Sequence, residues 1–320
     1  MDGAALARAA RSGKRHPVAR LISLMEDTRP ASAAARDEAL AVLEQDARER
    51  SHRSTVIGIT GTPGAGKSSL LSATTREMLR LDSEATIAVV AVDPSSQVTK
   101  GALLGDRTRM RTSVMETRLL FRSQASVTAL GGLAPPTYLV VRALTTLYDY
   151  VLVETVGIGQ SEADIKYLAD SVYLVMSPGG GDDVQMIKAG IVEIPDAFVI
   201  NKADTPGASA AYYQLRGALW LARPFDADTV TVSLTSARRG DGISELAQAM
   251  LDQRAATPPP DLLDKRARHF FASWVRDEWG RQGLDLLGPD PTLGGALDPV
   301  ANFGAAQTAF SEAMRAHMTR

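Results

Sequence analysis

The sequence predicts an α/β protein built on a mainly parallel β-sheet with helices on both faces. Three observations predict it. Short apolar, β-branched runs recur at residues 56–60, 86–92, 150–153, 171–176, 197–200 and 229–233, and helical stretches separate most of them. The runs are close to continuously apolar, as in strands covered on both faces. A glycine-rich loop stands between the first run and a helix at 68–81.

Residues 1–50 read as helices. Leu21, Ile22, Leu24 and Met25 make one apolar face and Leu40, Val42 and Leu43 another, with Arg29-Pro30 breaking them. The alternating strand and helix pattern then occupies 51–256. Thr257-Pro258-Pro259-Pro260 marks a boundary. Beyond it, 262–279 reads as an amphipathic helix, 283–302 is rich in Gly, Pro and Leu, and a last helix begins near Ala305. This divides the chain into an N-terminal helical extension (1–50), a central α/β domain that carries the glycine-rich loop (51–256) and a C-terminal helical arm (257–320).

Composition narrows the function classes. The 320 residues suffice for one large α/β domain with extensions, or for two domains. There is no cysteine, which excludes disulfides, zinc–thiolate sites and Fe–S clusters. His16, His52, His269 and His317 show no ligand spacing. A net charge of −2 argues against wholesale nucleic-acid or membrane binding. The start, MDGAALARAARSGKR, lacks the apolar core of a signal peptide. No window reaches the ~18 apolar residues of a membrane span. The expectation is a cytoplasmic protein.

Gly61-Thr62-Pro63-Gly64-Ala65-Gly66-Lys67-Ser68, followed by Ser69, matches GxxxxGK[ST] in full and lies between a strand and a helix. Its glycines let backbone N–H groups curl around phosphates, and the helix N-terminus adds partial positive charge. Lys67 would reach the β- and γ-phosphates, and the Ser68 hydroxyl would bind Mg²⁺.

Asn201-Lys202-Ala203-Asp204 closes the run at 197–200. Asp204 can accept from guanine N1–H and N2–H₂, a donor pair adenine lacks. Asn201 can meet the other edge of the base, and the Lys202 stem can lie on the ring. Ser236, Ala237 and Arg238 follow the last run, where a loop N–H could meet the guanine O6. Together these choose GTP and GDP over ATP.

Asp93 ends the second run, Asp106 lies in LGDRTRM, and Glu154 ends the third. Strand ends on the phosphate-loop side of such a sheet converge on one crevice. Carboxylates there would repel one another without a cation, the role of Mg²⁺ and its waters. Asp93 could equally start an Asx turn, and Asp106 could be a solvated loop charge. Among the basic residues of 100–122, Arg107 and Arg109 flank Asp106 and are the candidates to stabilise phosphate charge; Arg109 is taken as catalytic beside Lys67, Asp106 and Glu154. After Gly157, where a water-orienting glutamine would be expected, stands Ile158; Gln160 lies two residues further on. An aliphatic side chain cannot orient the attacking water, so slow intrinsic hydrolysis is expected. A second loop, 177–188, holds three successive glycines followed by Asp182, Gln185 and Lys188. It reads either as a switch or as an ordinary strand-to-helix connection with an aspartate cap.

GITGTPGAGKSS, AVDPSS, LGDRTRM, LVETVGIGQSE, GGGDDVQMIKAGI, NKAD and TSARRGDGI, in this order over about 56–243, resemble the G3E family of P-loop GTPases and within it the MeaB/ArgK group, which includes the human methylmalonic aciduria type A protein. The resemblance implies a P-loop G domain and a G-protein chaperone that gates cofactor loading of an adenosylcobalamin-dependent acyl-CoA mutase and protects or reactivates it. It implies a homodimer through the C-terminal arm. It makes Lys67, Ser68, Asp93, Asp106 and Glu154 phosphate and Mg²⁺ residues, Asn201, Lys202 and Asp204 guanine contacts, and Asp182, Gln185 and Lys188 the switch that couples to the mutase. Between AVDPSS and LGDRTRM this chain has QVTKGAL where the family pattern is closer to TRTGGSI. Methylmalonyl-CoA mutase is the default partner, with 2-hydroxyisobutyryl-CoA or isobutyryl-CoA mutase as alternatives. Rival readings are a metallochaperone-type G3E GTPase, which would want Cys or His clusters, a transport-linked P-loop ATPase or kinase, which NKAD opposes, and an SRP-like targeting GTPase, which would want clustered methionines.

Overall fold

The computed structural model describes residues 2–94, 116–126, 133–155, 161–179, 194–255, 261–288 and 297–319. The chain divides into two compact units. One comprises Met1–Arg53, Ala134–Leu147 and Thr257–Arg320; the other comprises Ser54–Leu133 and Tyr148–Ala256.

The second unit is a seven-stranded sheet, and every strand pair in it is parallel. Its strands are β1 (Thr55–Gly61), β2 (Ile87–Pro94), β3 (Leu119–Ser126), β4 (Tyr150–Glu154), β5 (Ser171–Met176), β6 (Ala197–Ile200) and β7 (Thr231–Leu234). The order is β3-β2-β4-β1-β5-β6-β7. The chain leaves β1 toward β2 on one side and later crosses to β5 on the other, so β1 stands at the reversal point where such sheets open a crevice beyond the strand ends. Full burial on both faces explains the apolar runs: β1 and β4 have no exposed residue.

Side chains alternate between the faces. Ile57, Ile59, Val89, Leu152, Val175 and Val199 pack with Leu70, Leu71 and Met78 of one helix and Leu246 and Met250 of another. Leu174, Met176, Phe198 and Ile200 pack with Leu215 and Leu219 on the opposite side.

The helices in chain order are α1 (Gly3–Ala10), α2 (Arg15–Glu26), α3 (Ala33–Glu49), α4 (Lys67–Leu81), α5 (Pro135–Leu144), α6 (Ser161–Leu168), α7 (Ala208–Ala222), α8 (Ile243–Asp252), α9 (Leu262–Leu287) and α10 (Phe303–Met318). Pro30–Ser32 forms a short 3₁₀ turn at the break expected from Arg29-Pro30. The first unit holds α1, α2, α3, α5, α9 and α10, and α5, α9 and α10 meet at an aromatic centre. Tyr138 stacks on Phe270 at 5.1 Å, and Phe271 meets Phe303 and Phe310 edge to face. Asp37 of α3 accepts from the N–H groups of Gly304 and Ala305, both at 2.9 Å, and so caps the start of α10. The expected helix at 262–279 ends where Gly280 takes a left-handed φ of 59°, after which helix resumes to Leu287.

The apolar pattern of the sequence gives no sign of β3. Its residues, LLFRSQAS, sit in a basic stretch and alternate with Arg122 and Gln124. Among the described residues it pairs only with β2, at the edge of the sheet, where a strand needs just one apolar face. The last strand begins at Thr231 rather than 229, two residues later than the apolar pattern indicates. No helix among the described residues is long and apolar enough to cross a membrane.

Candidate nucleotide-binding site

The phosphate loop runs directly from β1 into α4. Gly61 has φ 142°, and a Cβ there would lie 1.9 Å from the Val175 carbonyl oxygen of the neighbouring strand, so only glycine fits this position. Lys67 is 8% exposed, and its ammonium donates to the carbonyls of Gly61 (2.8 Å) and Thr62 (3.1 Å), which aims it into the loop it belongs to. Thr62 and Ala65 are buried; Pro63 and Gly64 form the exposed crest. Ser69 is exposed on α4.

β4 lies beside β1, with Glu154 in register with Ile59. That places the Glu154 carboxylate over the first turn of α4, where the Ser68 hydroxyl donates to it at 2.7 Å. Glu154 is 6% exposed. β2 lies on the far side of β4, with Ala91 opposite Glu154. The Asp93 backbone is therefore two residues further along an adjacent strand, at the same end of the sheet. Its side chain lies outside what is described, as do Asp106, Arg109, Ile158, Gln160, Asp182, Gln185 and Lys188.

β6 delivers the second loop. Asn201 is 1% exposed. Its amide nitrogen donates to the carbonyls of Ala65 (2.9 Å) and Gly66 (3.4 Å), and its oxygen accepts from Ala237 N–H (3.2 Å) and the Thr235 hydroxyl (3.5 Å). All four hydrogen-bonding positions of the amide thus have protein partners. Asn201, expected at the edge of a base, ties the phosphate loop to the loop after β7. Lys202 donates to the Gly64 carbonyl at 2.6 Å and sits at φ 59°, a left-handed conformation unusual for lysine. Its stem therefore spans from the NKAD loop to the crest of the phosphate loop.

Asp204 is oriented from the third loop. The Ser236 hydroxyl donates to one carboxylate oxygen at 2.7 Å, and the Arg239 guanidinium stands 4.0 Å from the other. The Ser236 hydrogen bond, with the nearby Arg239 and Arg238 charges, holds the Asp204 carboxyl below the ordinary aspartate range against the opposing effect of burial. The side chain is thus an anion with one oxygen already engaged. Ser236 also accepts from the Arg239 N–H (3.1 Å), and its own N–H donates to the Asp241 carbonyl (2.9 Å), which closes the loop on itself.

Two contributors escaped sequence reasoning. Arg239 rather than Arg238 makes the ion pair with Asp204. Thr235, fully buried, holds the NKAD loop by accepting from the Ala203 N–H at 2.9 Å. Both lie in the TSARRGDGI stretch, which by itself gives neither of them a role.

The donor set suits a hard divalent cation: a hydroxyl and a carboxylate at 2.7 Å, with an aspartate-bearing strand end alongside. Among the described residues no three His, Asp or Glu side chains converge.

The chain is similar to known proteins along most of its length. A relative from Pyrococcus abyssi is 43% identical over 217 residues, 65% of this chain; the chain spans 62% of that protein's length. The GTPase ArgK of Escherichia coli is 35% identical over 286 residues, 88% of this chain and 84% of that protein. A crystal structure described as LAO/AO transport system kinase superposes with a TM-score of 0.62 at 25% identity, covering 98% of this chain and 97% of the other. The family model described as methylmalonyl Co-A mutase-associated GTPase MeaB matches residues 18–281, and the chain belongs to that family.

Proposed function

We propose that this protein binds GTP and hydrolyses it to GDP and phosphate, and that it uses the cycle as a chaperone of an adenosylcobalamin-dependent acyl-CoA mutase. The observation that carries the nucleotide reading is the convergence on one sheet end of Lys67, the Ser68–Glu154 pair and the Asp204–Ser236 pair. A phosphate loop alone accepts any nucleotide. A carboxylate held ionised, with one oxygen engaged and the other beside Arg239, is a receptor for the paired N–H donors of guanine.

In this reading the N–H groups of 61–68 surround the β- and γ-phosphates, and Lys67 turns from the Gly61 and Thr62 carbonyls to phosphate oxygens. Mg²⁺, when bound, supplies charge neutralisation between those phosphates. Ser68 and Glu154, with Asp93 and Asp106, hold it directly or through water. Arg109 contributes charge at the phosphates, and Ile158 leaves the attacking water poorly oriented, so hydrolysis is slow until a partner orders the surrounding loops. Asp182, Gln185 and Lys188 couple nucleotide state to the partner. The mutase role and a homodimer through the C-terminal arm rest on the family assignment; a cytoplasmic location and the division at residues 50 and 257 rest on the sequence pattern.

The test is GTP hydrolysis at saturating Mg²⁺, alone and with each purified acyl-CoA mutase of the same genome, with ATP as competitor. Slow turnover that ATP does not inhibit and that one mutase raises about tenfold or more supports the reading. Fast turnover indifferent to every mutase sinks the chaperone role, and competition by ATP sinks the guanine assignment.

A further inference from the structure

Two buried threonines flank the nucleotide site on the opposite side of the sheet. Thr60 precedes Gly61 of the phosphate loop, and Thr155 follows Glu154. Glu154 is in register with Ile59, and the Thr155 N–H donates to the Ile59 carbonyl at 3.0 Å. The parallel ladder therefore continues one step further and sets Thr155 beside Thr60. Ile59 and Glu154 face α4. Thr60 and Thr155 face the other way, because side chains alternate along a strand. α6 covers that side: a Cβ on Gly58, two residues before Thr60, would stand 2.5 Å from the Ile165 side chain.

Each threonine is 1% exposed, and neither hydroxyl has a hydrogen-bond partner among the described residues. Their surroundings on this face are apolar. Thr60 is in register with Leu174, and Val153 lies two residues before Thr155; both are buried. A buried hydroxyl without a partner is destabilising. Valine has the same branched shape, suits a buried strand as well and carries no such cost. Two adjacent threonines at this place therefore need something polar between them.

The spacing of the strands says what fits. Neighbouring strands lie about 4.8 Å apart. Two O–H···O bonds of about 2.8 Å that meet at a water, near the tetrahedral angle, span about 4.6 Å. The two hydroxyls make no direct bond to each other, and two polar groups are enough to hold a buried water. Gln124 of β3, also buried, lies on the same row across the sheet: it pairs with Val92, the residue after Ala91, which pairs with Glu154.

We infer that one buried water bridges the Thr60 and Thr155 hydroxyls and pins the end of β1 to the end of β4. Thr60 and Thr155 are then positioning residues. One is bonded through the backbone to Gly61, the other to Glu154, and the pin fixes how the Glu154 carboxylate stands over Ser68. The water site does not depend on the nucleotide reading; its effect on Mg²⁺ rests on that reading.

Thr60→Val and Thr155→Val, singly and together, make a double-mutant cycle on thermal unfolding of the nucleotide-free full chain. Either single variant takes away one partner of the water and leaves the other hydroxyl buried and unsatisfied, so the midpoint should fall. The double variant removes both hydroxyls and should return to the native midpoint or above it. Without a shared water each valine acts alone, and shifts that simply add, whatever their sign, overturn the site. A Mg²⁺ titration of GTP hydrolysis tests the positioning role. In all three variants the half-saturating Mg²⁺ concentration should rise about tenfold, as it does when groups behind a metal ligand are removed. GDP affinity measured without Mg²⁺ should change less than about twofold, a smaller effect than on the metal. An unchanged Mg²⁺ requirement overturns the positioning role. Failure of the nucleotide reading shows separately, as competition by ATP, and leaves the cycle on the free protein untouched.

Discussion

The Ser68 hydroxyl donates to the buried Glu154 carboxylate at 2.7 Å, joining the first turn of the phosphate-loop helix to the end of β4. Glu154→Gln keeps an acceptor for Ser68 and removes only the charge. We expect steady-state GTP hydrolysis to fall about 100-fold while GDP affinity changes by less than about tenfold. The thermal midpoint of the nucleotide-free protein should hold or rise, since a buried charge has been removed. Unchanged hydrolysis would reduce Glu154 to a structural partner of Ser68.

Asn201→Asp separates a brace from a base contact. The substitution replaces the donor to the Ala65 and Gly66 carbonyls by an acceptor and keeps the residue's shape. A buried acceptor facing two carbonyls should cost about 2–3 kcal/mol in chemical denaturation without nucleotide. Were Asn201 only a base contact, nucleotide affinity would fall and the stability of the free protein would not.

Asp204 titrates below the ordinary value of 3.8, chiefly because of the Ser236 hydroxyl. A depressed folded value means the ionised form is the stabilised one. Its contribution is therefore present above 3.8 and is lost as the pH falls through the lower folded value. Ser236→Ala moves that value up, so guanine affinity should be lost at a higher pH than in the native protein. Asp204→Asn should lose about 100-fold or more at neutral pH. GDP binding followed by fluorescence from neutral pH down to about 2.5 tests both; superimposable curves for native and Ser236→Ala over that whole range would remove the hydroxyl from the site.

Gly280 interrupts α9 with φ 59° and ψ −146°, a conformation open essentially only to glycine. A Cβ there meets nothing within 4 Å, so Gly280→Ala acts through the backbone alone. It should destabilise the protein by about 1–3 kcal/mol and leave GDP affinity unchanged. Gly283→Ala differs in kind, since its Cβ would stand 2.5 Å from that of Trp279. Equal stability of Gly280→Ala and the native protein would show that α9 can straighten through this point.

The sequence by itself determined what depends on contiguous residues. The two-sided burial of the central strands demands unbroken apolar runs, so β1, β4, β5 and β6 are legible within about two residues at each end. The phosphate loop is legible because its glycines and Lys67 act within eight consecutive positions. Only the tertiary structure decided what joins distant segments. β3 is written in polar alternation because an edge strand needs one apolar face, which made it invisible beside the basic residues around it. The strand order brought Glu154, 86 residues from Ser68, within hydrogen-bonding distance of it. Asn201 reads as a base contact in isolation, and only the fold shows the hydrogen bonds it makes to the Ala65 and Gly66 carbonyls and from the Ala237 N–H. Periodicity records which side of an element is buried; it carries no information about which distant polar groups a buried amide must satisfy.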